Sequence, residues 1–299
     1  MFSSLGELPL VQVLLPAHLN HKTKFSLFIM KYTINKLYIV NFLAFAMLTI
    51  AGCSDSNSVD NETPEPDLYN LGEFTDNGIT VTAYANAPLQ VGYNEIFLDV
   101  QQNGDRMQNT QFRFVPMMHM EAHSHASPFE IPGSTRDNTH NLHAGWVIFT
   151  MPSGMMGSWE LQITAEIPSN PGIEVTGIIP IDVEASNRVK TFMTENQSRY
   201  VLTWIEPTTP QVGLNNLIIS LHKRESMMSF PPVLNAVFDF EPWMPSMDHG
   251  SSNNVHPIHN GNGFYTGKVN FNMTGDWELR FQIEIEGHDA GSHIFELDF

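Results

Sequence analysis

One cysteine in 299 residues leaves this chain without the thiols that many soft-metal sites use. Because Cys53 has no second cysteine to pair with, no disulfide can form within the chain. A copper site of the blue-copper type also needs a cysteine ligand. Cys53 is assigned a different role below, so soft-metal chemistry in the folded part has to use other side chains.

Positively charged side chains are also scarce. Residues 1–52 contain four lysines and one glutamate, which leaves 10 Lys and Arg against 31 Asp and Glu in residues 53–299, a net charge near −21. Proteins that bind nucleic acids cluster Lys and Arg on one surface. We therefore expect no nucleic-acid partner.

The motifs of several enzyme classes are missing. The sequence contains no Gly-x-Ser-x-Gly elbow, no His-Glu-x-x-His motif and no phosphate-binding loop. Its many carboxylates show no spacing that identifies an acid–base pair. We therefore predict that the protein is not an enzyme.

Residues 30–52 have the order of a secretory signal. Lys31 and Lys36 precede an apolar stretch from about 37 to 51, which is shorter than the about 20 residues of a membrane span. The stretch ends in Ile50-Ala51-Gly52-Cys53, which resembles a bacterial lipobox. The resemblance implies cleavage before Cys53, acylation of its thiol and attachment to a membrane surface. A buried N-terminal helix is the alternative. Residues 1–29 fit neither interpretation, and we predict that they are a mis-called N-terminal extension.

An internal repeat organises the rest of the chain. The motif Gln-Val-Gly-x-Asn occurs at residues 90–94 and 211–215, and Met-x-Gly-x-Trp occurs at 155–159 and 273–277. Both pairs of motifs follow in the same order, at offsets of 121 and 118 residues. We predict an acidic flexible tether at 53–75, a first domain at 76–186, a linker at 187–196 and a second domain at 197–299.

Each copy consists of short apolar-alternating or β-branched runs separated by Gly, Pro, Asn and Asp, which is typical of strands. In the first copy they predict strands at 79–85, 94–101, 110–116, 145–150, 159–167 and 176–183. In the second copy they predict strands at 200–205, 217–221, 234–240, 263–271, 277–284 and 293–299. The pattern favours an all-β protein with two tandem immunoglobulin-like β-sandwich domains, in which Trp159 and Trp277 anchor the cores.

Each copy has one loop rich in methionine and histidine, which lies between its third and fourth predicted strands. Long loops inside compact domains are usually functional or disordered. The candidate ligands of the first copy are Met117, Met118, His119, Met120, His123 and His125. Those of the second copy are Met244, Met247, His249 and His256. Packing is the alternative role, because methionine fills irregular cores. We expect His222, His288 and His293, which lie outside these loops, to be surface residues.

Methionine and histidine together favour copper. A thioether is a soft ligand that selects Cu(I), while imidazole also suits Cu(II) and zinc. Outside the cytosol thiolates oxidise easily, so a site of Met and His suits that environment. We therefore predict copper as the cofactor, with Cu(I) preferred over Cu(II).

The second copy resembles the YtkA-like domain family, to which FixH-like domains are related. The resemblance rests on Met244-Pro245-Ser246-Met247-Asp248-His249, Gly263-Phe264-Tyr265-Thr266-Gly267 and Met273-Thr274-Gly275-Asp276-Trp277. It implies an exported immunoglobulin-like domain of a kind often found near copper or cytochrome-oxidase functions. The first copy departs from this pattern at residues 117–123 and 145–147.

Two functions follow as expectations. In the first, the protein is held by lipid on Cys53 at the periplasmic face or the outer-membrane surface, where it captures, buffers or transfers copper and meets a copper-delivery or efflux protein. In the second, it is a non-enzymatic adhesion or scaffold module whose loops contact protein partners through methionine surface.

Overall fold

The computed structural model describes residues 68–168 and 172–299. The predicted signal, the predicted lipid-attachment residue Cys53, residues 1–29 and most of the predicted tether lie outside the described residues. Within the described residues, no helix is long and apolar enough to cross a membrane.

The first half of the described chain forms ten strands in two antiparallel sheets, which we call the first sandwich. Its strands are β1 Tyr69–Asp76, β2 Ile79–Ala85, β3 Gly92–Gln102, β4 Asp105–Arg106, β5 Gln111–His119, β6 Ser124–His125, β7 Phe129–Glu130, β8 His143–Phe149, β9 Ser158–Glu166 and β10 Glu174–Ile181. One sheet has the order β1-β2-β3-β8-β7, with β4 beside β3, and the other has the order β10-β9-β5-β6.

The second half forms the second sandwich. Its strands are β11 Val189–Met193, β12 Arg199–Glu206, β13 Gly213–Arg224, β14 Ala236–Met244, β15 His249–Gly250, β16 Val255–Gly261, β17 Phe264–Phe271, β18 Asp276–Ile285 and β19 His288–Asp298. The sheets have the orders β11-β12-β13-β17-β16 and β15-β14-β18-β19. A 3-10 turn, Pro245–Met247, joins β14 to β15.

The strand orders identify an immunoglobulin-like topology. The constant-type immunoglobulin sandwich has one sheet ordered A-B-E-D and another ordered G-F-C. In the first sandwich β2-β3-β8-β7 and β10-β9-β5 follow these orders, and in the second β12-β13-β17-β16 and β19-β18-β14 do so. The predicted all-β fold with two immunoglobulin-like sandwiches is confirmed, and each of the twelve predicted strands overlaps an observed one.

Alternation of side chains gives each sandwich its own core. Successive side chains of a strand point to opposite faces of the sheet, and every second residue of β9 and of β17 is buried. The first core includes Phe114, Phe149 and Trp159, and the second includes Phe271 and Trp277. Both tryptophans are 1% exposed, as expected of core anchors.

Two observed strands lie where the sequence predicts a tether and a linker. Strand β1 pairs along β2, and its Leu71 and Phe74 pack against the first core. Strand β11 pairs with β12 and places Phe192 against the second core. In both cases a few apolar side chains in a polar segment are enough to extend an existing sheet by one edge strand.

The repeated Gln-Val-Gly-x-Asn motif closes the same turn in both sandwiches. The Asn94 side chain accepts a hydrogen bond from the Gln90 backbone N–H and donates to the carbonyls of Gln90 and Gly92. Asn215 makes the same three bonds to Gln211 and Gly213. The motif is therefore a structural device that starts β3 and β13.

The sandwiches pack against each other through the outer face of β12 and β13. Its side chains include Thr203, Ser220 and His222, all at most 2% exposed. The Trp146 ring of the first sandwich lies 5.7 Å from the His222 ring and 5.3 Å from the Phe264 ring. The expectation that His222 is a surface residue is wrong, because the first sandwich covers a sheet face that would otherwise meet solvent.

Candidate metal centre

Equivalent methionines end the third main strand of each sandwich. Met118 on β5 is 0% exposed, and Met244 on β14 is 1% exposed. Each lies directly opposite a histidine of the short strand that follows: Met118 opposite His125, and Met244 opposite His249. Backbone pairing therefore places one thioether beside one imidazole at the same position of both sandwiches.

The two histidines have the same hydrogen bond. Nδ1 of His125 lies 2.8 Å from the carbonyl oxygen of Ala126, and Nδ1 of His249 lies 2.7 Å from that of Gly250. A carbonyl oxygen only accepts, so this bond requires the proton on Nδ1, and in the neutral ring the Nε2 lone pair is then without a proton. Metal-binding histidines commonly use a backbone carbonyl in this way to fix the tautomer.

A tryptophan completes each arrangement. The His125 ring meets the Trp159 ring edge-on, with 5.7 Å between centroids, and the His249 ring meets the Trp277 ring edge-on at 6.1 Å. The indole N–H groups donate to the carbonyls of Met151 and Met273, at 2.9 and 3.0 Å. We call Met118, His125 and Trp159 the first cluster and Met244, His249 and Trp277 the second cluster.

The glycine of the repeated Met-x-Gly-x-Trp motif lies against the cluster methionine. A Cβ on Gly157 would stand 3.0 Å from Met118 Cε, and one on Gly275 would stand 3.2 Å from Met244 Cε. Both glycines also have positive φ, at 152° and 136°. The motif therefore combines a turn, close packing on the thioether and the tryptophan of the cluster.

A third predicted ligand of the second copy, Met247, is 58% exposed on the 3-10 turn after Met244. The turn is held by Asp276, which accepts hydrogen bonds from the Ser246 N–H at 3.1 Å and from the Ser246 hydroxyl. These bonds lower the pKa of Asp276. The Ser and Asp of the two sequence motifs thus fix the turn that carries Met247.

His256 lies away from the second cluster. Its Nδ1 accepts a hydrogen bond of 2.9 Å from the Phe240 backbone N–H. Phe240 precedes Met244 by four residues on β14, which corresponds to about 13 Å along a strand. His256 therefore links β16 to β14 and is not brought to Met244 and His249.

The face of β5 opposite Met118 carries Met117 and His119. Both His119 nitrogens have partners, since Nε2 lies 2.9 Å from Glu160 Oε1 and Nδ1 lies 3.1 Å from Ser124 Oγ. Because neighbouring strand residues point to opposite faces, these two side chains do not join the first cluster.

Two further predicted ligands stay close to the first cluster. Met120 packs partly buried against the first core, and its N–H donates to the His123 carbonyl at 3.0 Å. The His123 and His125 rings are 6.2 Å apart. The first cluster thus has one more thioether and one more imidazole as neighbours.

The Trp243 ring lies beside the second cluster in sequence, but its cation partner is an arginine of the same sheet. The Arg280 guanidinium carbon lies 4.9 Å from its centroid. Trp243 precedes Met244 on β14, so its side chain points to the opposite face of the sheet from the second cluster. It stabilises the strand surface, where Arg280 also pairs with Glu278.

The two clusters differ in their surroundings. His125 lines a cavity of about 390 Å³ between the sandwiches, together with Met151, Tyr200 and Arg224. Burial lowers the pKa of His125, and the Arg224 charge lowers it further. Both effects favour the neutral imidazole, the form that binds metals. Near the second cluster, a cavity of about 650 Å³ is lined by Pro245, Asp276 and Trp277 among others.

Carboxylates and thiols take no part in these clusters. Among residues 68–168 and 172–299, no group of three or more His, Cys, Asp or Glu converges in a way that would hold a metal ion. A Met–His pair offers one soft and one borderline donor, a set that suits Cu(I).

The equivalence of the clusters has a sequence signal beyond the motifs used above. Phe-x-Phe-x-Pro-x-Met occurs at residues 112–118 and again at 238–244. It aligns Met118 with Met244 directly. The loops that follow differ in length and hide the match between His125 and His249.

Comparison with known families gives a match to most of the second sandwich. Residues 194–282 match the YtkA-like family. The YtkA-like region contains Met244, His249 and Trp277, so the whole second cluster lies inside it. The predicted resemblance is confirmed for this region. The curated proteins give no match to the sequence.

Solved structures with a similar arrangement have low sequence identity. A conserved domain protein from Bacillus anthracis is 11% identical over 80% of this chain and 92% of its own, with a TM-score of 0.30. The Escherichia coli adhesin FdeC is 12% identical over 76% of this chain, with a TM-score of 0.25, and this chain spans 65% of it. The integrin-binding protein invasin is 11% identical over 74% of this chain, with a TM-score of 0.24, and this chain spans 39% of it. The TM-scores are below 0.5, so the fold assignment rests on sheet topology.

Proposed function

We propose that the protein is a lipid-anchored copper-binding protein of the cell envelope that captures, buffers or transfers Cu(I). The observation that carries the proposal is the Met–His pair that occurs at the same position of both sandwiches. In each pair the sulfur-bearing side chain is buried, the imidazole has a fixed tautomer, and Nε2 keeps its lone pair for a metal.

The donor types support Cu(I) as the bound metal. Thioether sulfur is soft and uncharged at every pH, and imidazole is a borderline donor. Two such ligands from the cluster and a third from the adjacent methionines, Met120 or Met247, would hold a monovalent soft cation. Calcium takes oxygen ligands, and zinc takes cysteine thiolate, imidazole or carboxylate, so neither ion favours a thioether.

The proposed location and partners follow from the sequence. A lipid on Cys53 would hold the protein at the periplasmic face or the outer-membrane surface, where copper is handled without cytosolic reductants. The acidic surface would attract cations and repel nucleic acids. A copper-delivery or efflux protein is the expected exchange partner.

Metal analysis of the purified protein loaded with Cu(I) tests the proposal. We expect two copper ions per chain in the wild type, one in Met118→Leu/His125→Phe, one in Met244→Leu/His249→Phe, and none in the fourfold variant. Leucine keeps the volume of methionine without its sulfur. Met228→Leu/His288→Phe, which changes two exposed positions, is the matched control. Equal copper in all variants would overturn the proposal.

A surface scaffold is the second candidate, and exposed apolar side chains favour it. Met247, Val255 and Ile258 are 58%, 50% and 70% exposed around the turn and strand β16. Exposed apolar groups that lie together often mark protein contacts. A deletion strain separates the two functions, since copper binding predicts a growth defect under copper stress only, and a scaffold predicts an envelope defect without copper.

A further inference from the structure

Two arginines face each other at the edge of the cleft between the sandwiches. Arg199 on β12 is the direct cross-strand partner of Arg224 on β13. Residues in such positions have Cβ atoms roughly 4.5–5.5 Å apart, and like charges placed there destabilise a sheet. The pair therefore favours a negative charge nearby.

No described carboxylate neutralises this pair. Among the residues that the structure describes, Arg106, Arg113, Arg136 and Arg280 pair with Asp or Glu, and Arg188 donates to backbone carbonyls and lies over the Trp204 ring, whereas Arg199 and Arg224 make no ion pair. The Arg224 guanidinium contacts the sulfur of Met227. This contrast stands out in a chain in which acidic residues outnumber basic ones. Glu225 borders the same cleft, but its side chain accepts a hydrogen bond from Ser229 and would offset only one of the two charges.

The first sandwich supplies the opposite wall. His123 lines a cleft of about 470 Å³ together with Arg199, Arg224, Ser226 and Met227. The walls are joined by a hydrogen bond of 2.8 Å from the Ala126 N–H to the Met227 carbonyl. Donors from both sandwiches thus border one cleft that is open to solvent.

We propose that this cleft binds a small oxyanion, a carboxylate or a phosphate, between Arg199, Arg224 and His123. A guanidinium presents parallel N–H donors that match two oxygens of either group. Two guanidiniums from adjacent strands and an imidazole from the facing sandwich can donate to one oxyanion from two sides. The proposal does not require the proposed function, although Arg224 also lines the cavity beside His125 of the first cluster.

The test is a titration of the metal-free full chain with sodium phosphate and, in parallel, with sodium acetate. The melting temperature is followed, with sodium chloride of equal ionic strength as the reference. We expect an anion-dependent rise in the wild type, and at least a tenfold weaker response in Arg199→Gln and in Arg224→Gln. A response to acetate alone assigns a carboxylate ligand, and a stronger response to phosphate assigns a phosphate.

Arg113→Gln is the matched control, because it removes one arginine charge from an exposed ion pair in the first sandwich. It should keep the full response. In buffer without oxyanions, Arg224→Gln should also be at least as stable as the wild type, since it removes a like-charge contact. Responses of equal size in the wild type and both cleft variants, or no response in the wild type, would overturn the proposal.

Discussion

Met118 lies directly opposite His125 across a two-residue strand pair, although six residues separate them in the chain. In the second sandwich only four residues separate Met244 from its partner His249. The strand ends hold each pair, so the connecting loop can change length without moving the two donors. Conservation of this backbone pairing between the two sandwiches is the strongest structural support for a shared ligand role.

The two clusters should bind Cu(I) with unequal affinity. Arg224 stands close enough to His125 to lower its pKa through its charge. A positive charge a few ångströms away costs a bound cation about 1 kcal/mol even at the dielectric constant of water. We expect the first cluster to bind about fivefold more weakly, and Arg224→Gln to tighten it by about that factor. Competition against a colorimetric Cu(I) chelator measures the dissociation constants of both clusters. An unchanged dissociation constant of the first cluster in Arg224→Gln would contradict the explanation.

Acid should destabilise the contact between the sandwiches through His222. Burial lowers the pKa of His222 from 6.5 to about 4, and its Nδ1 has no hydrogen-bond partner in the part of the chain that the structure describes. Between these values the unfolded state binds more protons, so the stability contributed by the neutral ring is complete above pH 6.5 and is lost as the pH falls to about 4. The pKa shift corresponds to a loss of unfolding free energy on the order of 3 kcal/mol.

His222→Phe should remove most of this dependence, since a phenyl ring fits between Trp146 and Phe264 and does not titrate. Chemical denaturation at pH 7 and pH 4.5 measures the difference in unfolding free energy for both proteins. Burial also lowers the pKa of His125, His143 and His293. The unfolding free energy of the variant should therefore still fall as the pH is lowered, but less steeply. An identical slope in the two proteins would show that His222 is not the responsible group.

Removing buried hydroxyls at the same interface should stabilise the protein. Thr203 and Ser220 are direct cross-strand partners and both are 0% exposed, and neither hydroxyl has a hydrogen-bond partner among residues 68–168 and 172–299. A buried polar group without a partner costs about 1–3 kcal/mol. Thr203→Val and Ser220→Ala should therefore each raise the unfolding free energy, by about 1 kcal/mol. Thr164→Val is the control, because its hydroxyl is hydrogen-bonded to Thr176 on the surface and its loss should not stabilise.

The sequence predicts the strands of both sandwiches well, because alternation and turn residues are local signals. It does not predict that the outer face of β12 and β13 is buried. Alternation separates the two faces of a strand, but it does not tell which outer face a second sandwich covers, and so His222 looks like a surface residue. His119 and His256 show the same limit, since pairing of His119 with Glu160 and of His256 with the Phe240 backbone depends on strand register.

The first copy matches the YtkA-like motif less well than the second copy because the residues that follow the cluster methionine differ. The YtkA-like motif places Pro, Ser and a second Met immediately after Met244, whereas Met118 is followed by His119, Met120 and Glu121. The structural requirement is only that a methionine ends the strand and that a histidine returns opposite it. The tyrosine of the motif is exchangeable as well: Tyr265 lies opposite Ile219 on β13, and His143 lies opposite Leu98 at the corresponding place on β3.

Loss of the repeated asparagine should destabilise each sandwich to a similar degree. Asn94 and Asn215 each make three hydrogen bonds to the turn before β3 and β13, with distances between 2.7 and 3.1 Å. Alanine would leave a backbone N–H and two carbonyls without this partner. Partial access to water would replace some of these bonds, so we expect a loss of about 1–3 kcal/mol for Asn94→Ala and for Asn215→Ala. Denaturant unfolding measures the change, and Asn196→Ala, which alters a turn outside the repeat, is the comparison. A loss of unfolding free energy in only one of the two variants would show that the two motifs are not equivalent. The turn of the unaffected sandwich would then owe its shape to the glycine rather than to the asparagine.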